Sequence, residues 1–152
     1  MFSCNKKDNV GSETDLNAKF DQYKTYFVEE LWKVSPEWAS SQGFHKYDSI
    51  LIIPTVENDR IQLKFAKTHL DSLDNYPLES LSENNKTDAQ MMQNLLKGFD
   101  FSINELKSST WNPSQYNVCG AFAEILNGNY DTLENRLRDF DIKMDNIPAY
   151  YE

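Results

Sequence analysis

The sequence predicts an all-α protein, an irregular array of helices joined by long connecting loops. Apolar residues recur at spacings of three and four in several separate stretches, which is the pattern of a helix with one buried face. Residues that favour helix starts precede these stretches, and glycine or proline follows some of them. No stretch alternates apolar and polar residues over the length of a strand, so a β-sheet is not predicted.

Length and charge limit the kind of protein. A chain of 152 residues corresponds to about one domain, and its 39% hydrophobic content is sufficient for a core. The net charge of −9 repels phosphate backbones, and no stripe of basic and aromatic residues offsets it, so we expect no nucleic-acid partner. No apolar run approaches the roughly 18 residues that a membrane-spanning helix needs.

The first long helix is predicted from Thr14 to Val34. Residues 12–15 fit a capping box at its start. The apolar residues that share one face of this helix are Leu16, Phe20, Tyr23, Phe27, Leu31 and Val34.

A short second helix should begin at Ser35-Pro36-Glu37, because serine caps helices and proline suits the first helical position. Trp38 is predicted to point inward. Gly43 is predicted to end this helix, and residues 44–48 should form an extended or turn-like connection.

His45 and Asp48 allow three interpretations. They could form a pair, bind a metal ion or supply a base. A metal site requires further ligands at defined spacing, and the sequence has none nearby. We favour the interpretation that both side chains bond backbone groups in an irregular connection.

Two further long helices are predicted. The first opens at Pro54 with Thr55 or Asn58 and ends near Leu73, with His69 at the edge of its apolar face. After an exposed loop over residues 82–86, Thr87 or Asp88 should cap a helix that ends near Leu106. Gly98 in its middle costs about 1 kcal/mol relative to alanine, which we interpret as a sign of close packing.

The last third should contain two shorter helices. Asn112-Pro113 breaks the preceding helix, and a short apolar helix then ends at Asn127-Gly128. Cys119 is expected to be a buried free thiol within it. Asp131 or Thr132 should cap the last helix, whose apolar residues Leu133, Leu137 and Phe140 are predicted to face inward. Its alternating charges are predicted to form the solvated face.

The first residues resemble the end of a bacterial lipoprotein signal. A small residue, Ser3, directly precedes Cys4, and a polar tether follows. Cys4 is therefore the lipidation candidate, and we divide the chain into a lipoprotein-like N-terminus over residues 1–13 and a helical domain over residues 14–152. Only Phe2 precedes Ser3, so the apolar part of a signal is missing and this chain could not itself be lipidated. We expect a trimmed form or an incomplete reading frame.

Several short motifs occur in an order that resembles a bacterial family. They are Ser35-Pro36-Glu37, residues 43–48, Trp111-Asn112-Pro113 and Lys143-Met144-x-x-Ile147-Pro148. The sequence is similar to the N-terminal part of the family called domain of unknown function 885, from about Phe20 to Tyr151. The family's closing motif is Arg-Leu-x-x-Ile-Pro, so this chain departs from it at two positions.

The resemblance implies a lipid-anchored protein of the cell envelope, periplasmic or surface-exposed. Family members resemble helical zinc peptidases that carry a His-Glu-x-x-His helix in a later half. This chain has no such motif, so we assign it no catalytic, cofactor-binding or metal-binding residue, and zinc would belong to the parent protein. The motif positions, whose roles the resemblance leaves open, are Pro36, Glu37, Gly43, His45, Tyr47, Asp48, Asn112, Pro113, Ile147 and Pro148.

Two hypotheses about function follow. The first is that the chain is the non-catalytic N-terminal section of an envelope-anchored, metallopeptidase-like protein. Its partners would be the downstream catalytic half and, through a lipid on Cys4, the membrane. The apolar ending Ile147-Pro148-Ala149-Tyr150-Tyr151 favours this hypothesis. The alternative is a self-contained, lipid-anchored helical module that uses Trp38, Tyr47 and Trp111 to bind a peptide or protein.

Overall fold

The structure, a computed structural model, describes the backbone from Asn9 to Glu152 and the side chains from Asp15 onward. Cys4 and the start of the tether lie outside these residues. Helices occur in the order α1 (Asn9–Val34), α2 (Pro36–Ser41), α3 (Val56–Leu73), α4 (Glu83–Asp100), α5 (Gly120–Asn127), α6 (Leu133–Met144) and α7 (Ile147–Tyr150). Single 3-10 turns occur at His45–Tyr47, Leu78–Ser80, Ser108–Thr110 and Pro113–Tyr116.

The fold is all-α, as the sequence predicts, and residues 9–152 contain no strand. α1, α3 and α4 pack together and build the core. The predicted apolar face of α1 supplies three buried side chains of this core, Phe20, Phe27 and Leu31. The predicted start of α1 near Thr14 is wrong, because the helix already includes Asn9 and so has no capping box at residues 12–15.

α2 ends as predicted at Gly43. This glycine has a φ of 81°, a left-handed conformation that other residues adopt at a cost. The amide of Gly43 donates to the carbonyl of Ser40, and the amide of Phe44 donates to that of Ala39, both at 2.9 Å. These two bonds form a Schellman motif, which satisfies the last carbonyls of the helix. The inward orientation predicted for Trp38 is wrong, since 41% of this residue is exposed.

Side-chain caps begin α3 and α4. The Thr55 hydroxyl accepts from the amide of Asn58 at 3.2 Å, as the sequence predicts. The Ser82 hydroxyl likewise accepts from the amide of Asn85 at 3.3 Å, so α4 begins at Glu83. The predicted exposed loop over residues 82–86 is therefore wrong, because the serine caps the helix and Glu83 lies in its positively polarised first turn.

α4 continues into a π-helical segment, Phe101–Leu106, so helical structure ends near Leu106 as predicted but with a wider turn. The left-handed Lys107, with a φ of 48°, ends it. The close packing inferred at Gly98 is wrong, because no neighbouring atom lies within 4 Å of the position a Cβ would occupy.

α6 does not bury the side chains that the sequence predicts. Thr132 caps the helix as expected, its hydroxyl accepting from the amide of Asn135 at 3.3 Å. Lys143 is fully buried, however, whereas Leu133 and Leu137 are exposed. Cys119, predicted to be buried, is also exposed.

His69 is buried in α3 and bonded to α1. It is 2% exposed, and its Nδ1 lies 2.9 Å from the Tyr23 hydroxyl. The sequence predicted a histidine satisfied at the edge of the core, and the structure confirms that its polar group has a partner. Burial lowers the pKa of His69 below its usual 6.5. Burial also raises the pKa of Tyr23, to about 12, so the hydroxyl stays protonated.

The low pKa of His69 predicts an acid-sensitive core. Above pH 6.5 the imidazole is neutral in both folded and unfolded chains, and its contribution to stability is complete. As the pH falls below 6.5 the unfolded chain takes up the proton first, so the free energy of unfolding should decrease until the folded pKa is passed. Urea unfolding from pH 7.5 to 5 should show this decrease, and the His69→Gln protein should show a smaller one. His45 is present in both proteins, so the difference between them isolates His69.

Candidate functional site

A buried carboxylate organises the junction between α2 and the last third of the chain. The side chain of Asp48, fully buried, accepts hydrogen bonds from the Ser40 hydroxyl and the Tyr130 hydroxyl. The Nδ1 of His45 lies 3.0 Å from Asp48 Oδ2. We call these four residues the Asp48 cluster. Three partners around one buried carboxylate satisfy most of its acceptor capacity.

The Asp48 cluster replaces the backbone bonding that we favoured for His45 and Asp48. The two side chains form the pair that the sequence left as an alternative, and the histidine ring lies parallel on the ring of Tyr130 at an interplanar angle of 1°. Burial and the hydrogen bond to Asp48 both raise the pKa of Tyr130, so this hydroxyl remains a donor at any ordinary pH.

The local chain shape explains how the Asp48 cluster forms. The Schellman turn at Gly43 sends the chain back over α2, and the following 3-10 turn, His45–Tyr47, carries Asp48 over Ser40. From the other side, Gly128 lets Tyr130 approach α5. A Cβ at Gly128 would lie 2.5 Å from the carbonyl oxygen of Glu124 and 2.7 Å from the Tyr130 ring.

Gly128→Ala should therefore weaken the Asp48 cluster. The added methyl group has to push either the α5 backbone or the Tyr130 ring, and we expect a loss of about 1–3 kcal/mol in the free energy of unfolding. Gly98→Ala is the matched control: it has open space and should gain about 0.5–1 kcal/mol. Thermal unfolding followed by circular dichroism measures both. Equal effects at the two glycines would contradict the proposed role of Gly128.

A buried cation lies beside the Asp48 cluster. Lys143 of α6 is 0% exposed, and its Nζ donates to the carbonyl of Ala121 at 2.7 Å. Burial lowers the pKa of Lys143, while the negative charges of Glu37 and Asp48 act in the opposite direction. Burial of this lysine could not be predicted from the sequence, because its helix carries several other charges.

A polar cleft of about 350 Å³ is lined in part by Ala121, whose carbonyl accepts from Lys143. Glu37 of α2 and Asp59 of α3 contribute its acidic groups. The Glu37 carboxylate accepts from the amide of Ile52 at 3.3 Å, which fixes its position. The other polar side chains of the lining are Asn58, Gln62, Ser102, Ser108, Ser109, Gln115, Tyr116, Asn117 and Tyr150.

Segments that carry motif positions far apart in sequence contribute residues to the lining of this polar cleft. Asn112 caps the turn that begins at Pro113, with its Oδ1 accepting from the amide of Ser114 at 3.1 Å. α7, which begins at Ile147-Pro148, brings in Tyr150, whose hydroxyl donates to the carbonyl of Gln115 at 3.3 Å. Two of the motif segments are thus bonded to each other, and Glu37 belongs to the same lining as Gln115 and Tyr150.

The remaining motif positions lie elsewhere. Pro36 is buried at the start of α2, and Gly43, His45 and Asp48 form the turn and the Asp48 cluster. Tyr47 is half-buried, with its ring 5.9 Å from that of Phe44. These positions support the shape of the domain and do not line the polar cleft. Ser40 and Tyr130 carried no recognisable signal in the sequence. Gly128 was predicted as the end of a helix, which α5 confirms, but not as a neighbour of Tyr130.

The side chains that line the polar cleft are suited to binding a polar ligand. Its lining offers carboxylates, amides and hydroxyls, with no histidine, cysteine or lysine among the lining residues. Within residues 15–152, no three His, Cys, Asp or Glu side chains are grouped closely enough to hold a metal ion. The Ser40 hydroxyl bonds to Asp48 and not to His45, so the Asp48 cluster does not have the order of a nucleophile, base and orienting acid.

An apolar groove of about 490 Å³ lies on another side of the domain. Phe27 and Met92 form buried parts of it, and Trp38 and Met91 are largely exposed along it. Lys24 and Asp88, joined by an ion pair of 2.9 Å, belong to the same lining.

Comparisons with known proteins give one close structural relative. No protein-family model matches the chain, and no curated protein sequence matches it. The chain is similar to a solved structure of a candidate lipoprotein of unknown function from Shewanella oneidensis. The two are 40% identical with a TM-score of 0.84 over 87% of this chain. The match covers 24% of the other protein, so this chain spans about a quarter of its length.

The comparison agrees with the lipoprotein resemblance of the sequence at a coarse level. The membership of domain of unknown function 885 that the motifs predict is not confirmed by a family match. Among the described helices, none has the length and apolarity to cross a bilayer. Association with the envelope is therefore supported by the description of the relative as a candidate lipoprotein.

Proposed function

We propose that this chain is the non-catalytic N-terminal helical section of a larger, lipid-anchored and metallopeptidase-like protein of the bacterial envelope. One observation carries the proposal: 87% of the chain matches only a quarter of a candidate lipoprotein at 40% identity. The lipid would be attached at Cys4, on the periplasmic or surface-exposed side. The catalytic half, with its zinc ion, would be a separate part of the same polypeptide.

The polar cleft gives this section a role beside a catalytic half. Glu37 and Asp59 make it acidic, and the amides and hydroxyls around them can bind peptide groups. The lining residues include no histidine, cysteine or lysine, which fits a wall that binds or orients a substrate while the reaction occurs elsewhere. No nucleic acid is expected as a partner, because the chain carries a net charge of −9.

The native protein tests the proposal directly. An antibody raised against the 152-residue chain should detect a product several times heavier than 17.7 kDa in the membrane fraction of the source bacterium. Labelling with radioactive palmitate should depend on Cys4, and Cys4→Ala should abolish it. The purified native product should contain zinc. A native product of 17.7 kDa would refute the proposal, and a heavy product without zinc would refute its metallopeptidase part.

The apolar groove favours a second candidate, a self-contained lipid-anchored module that binds a peptide or protein partner. Exposed Trp38 and Met91 beside the buried Phe27 and Met92 provide the adaptable apolar surface on which amphipathic helices dock. A native product no longer than this chain would favour this candidate over the first.

A further inference from the structure

α6 is held on the domain by its charged side chains. Arg136 donates through Nη1 to the carbonyl of Ile125 at 2.8 Å, and Lys143 donates to that of Ala121 at 2.7 Å. Both acceptors are backbone groups of α5, and Ile125 lies in its last turn, where carbonyls lack helical partners. The two cations therefore fix which face of α6 turns inward.

This orientation leaves apolar side chains of α6 in solvent. Leu133, Leu137 and Met144 are 61%, 48% and 43% exposed. They are spaced by four and seven residues, so they lie along one face of the helix. Phe140 lies at the edge of that face, with its ring 5.1 Å from that of Phe122. We call Leu133, Leu137 and Met144 the α6 stripe.

The α6 stripe has the composition of an interface centre. Two leucines and a methionine in line are surrounded on the same helix by Glu134, Arg138 and Asp141, which are exposed. An apolar centre with a charged rim is the usual arrangement of a surface that another polypeptide covers. An amphipathic helix normally turns its apolar residues to its own core, and α6 uses that side for Arg136 and Lys143.

The size of the α6 stripe and the length of the relative identify the occupant. A stable complex between separate chains needs roughly 20–30 residues a side, far more than three side chains supply. A segment of the same polypeptide needs much less, because its effective concentration is high. In the Shewanella oneidensis protein the matching fold is 24% of the chain, so about three quarters of that polypeptide remains to pack against it.

We infer that the α6 stripe is the docking surface for an apolar helical segment of the same longer polypeptide. The inference rests on the proposed function and adds to it the place at which the two parts join. The stripe fixes the outer side of α6, while Arg136 and Lys143 fix the inner side, so the remainder of the protein is oriented with respect to the polar cleft.

Thiol labelling tests the inference in the native gene product and in the 152-residue chain. Leu137→Cys is placed in a Cys119→Ser background, and its reaction with a maleimide is followed by peptide mass spectrometry. We expect labelling to be at least about tenfold slower in the longer protein, because a thiol inside a packed interface reacts only during local opening. Leu133→Cys should give the same result independently. Ile61→Cys, whose exposure of 49% matches that of Leu137, is the control away from α6.

Each outcome is decisive. Labelling of both α6 thiols at similar rates in the two proteins would overturn the inference even when the native product is long. Labelling of the 152-residue chain that slows with its own concentration would show that a second copy covers the stripe, which also overturns it. A native product of 17.7 kDa would instead refute the proposed function itself.

Discussion

Asp48→Asn is expected to lower the free energy of unfolding by about 3 kcal/mol, because it removes a buried carboxylate that accepts from three side chains. Asparagine has the same shape but turns an NH2 group toward donors. Ser40, His45 and Tyr130 all approach the Asp48 oxygens, so at least one of them loses its acceptor. For a chain of this length the melting temperature should fall by roughly 2–4 °C per kcal/mol.

Chemical unfolding followed by circular dichroism measures the effect of Asp48→Asn. Asp71→Asn is the matched control, since Asp71 is exposed at the end of α3 and should change stability by less than about 0.5 kcal/mol. Tyr130→Phe removes one of the three donors and should cost about 1 kcal/mol, less than the loss of the carboxylate. An Asp48→Asn protein as stable as the Asp71→Asn protein would show that the Asp48 cluster does not stabilise the fold.

Phe20→Ala should cost about 3–5 kcal/mol, the range for removing a phenyl ring from a packed core. Phe20 is 0% exposed where α1 meets the end of α3, and its ring packs edge-on against Tyr76 at 5.0 Å. The ring of Tyr23, which also bonds His69, lies 6.1 Å away. The cavity left by the substitution would therefore loosen the aromatic cluster that links α1 to α3.

The control for Phe20→Ala is Phe101→Ala, which removes the same side chain from a position that is 57% exposed. It should cost less than about 1 kcal/mol. Urea unfolding with a common slope compares the two proteins. A Phe20→Ala protein that loses no more stability than Phe101→Ala would mean that the core lies elsewhere.

Local signals account for the part of the fold that the sequence predicts. The apolar spacing of α1 identifies its buried face, Thr55 and Thr132 begin their helices, and Gly43 adopts the left-handed conformation that ends α2. Each of these features depends on residues within about one helical turn of one another. A single sequence is therefore enough to predict them.

Features that depend on partners distant in sequence could not be predicted. Leu133 and Leu137 have the spacing of a buried face, but α5 offers carbonyl groups to Arg136 and Lys143, and those bonds determine the orientation of α6. Trp38 lies against Trp32, at 5.4 Å between ring centroids, and lines an open groove instead of the core. Which face of a helix is buried depends on the surface that the helix packs against.

The candidate site shows the same division. Motif order drew attention to Glu37, to Asn112-Pro113 and to Ile147-Pro148, and segments carrying these positions come together around the polar cleft. Tyr130 could not be predicted, because its hydroxyl meets Asp48 across 82 positions of sequence. Nothing within one turn of either residue indicates such a partner.

That separation in sequence also sets the order in which the fold can be completed during synthesis. The contacts between α3 and α4 can form as soon as both helices have emerged, since the two are neighbours in the sequence. Asp48 emerges early but lacks the phenolic donor until Tyr130 follows, so any shorter nascent chain keeps its carboxylate short of one partner. Closing a loop of this length also costs chain entropy. The last of these hydrogen bonds therefore forms only when the last third of the chain is present, and until then the folded part should be easier to unfold.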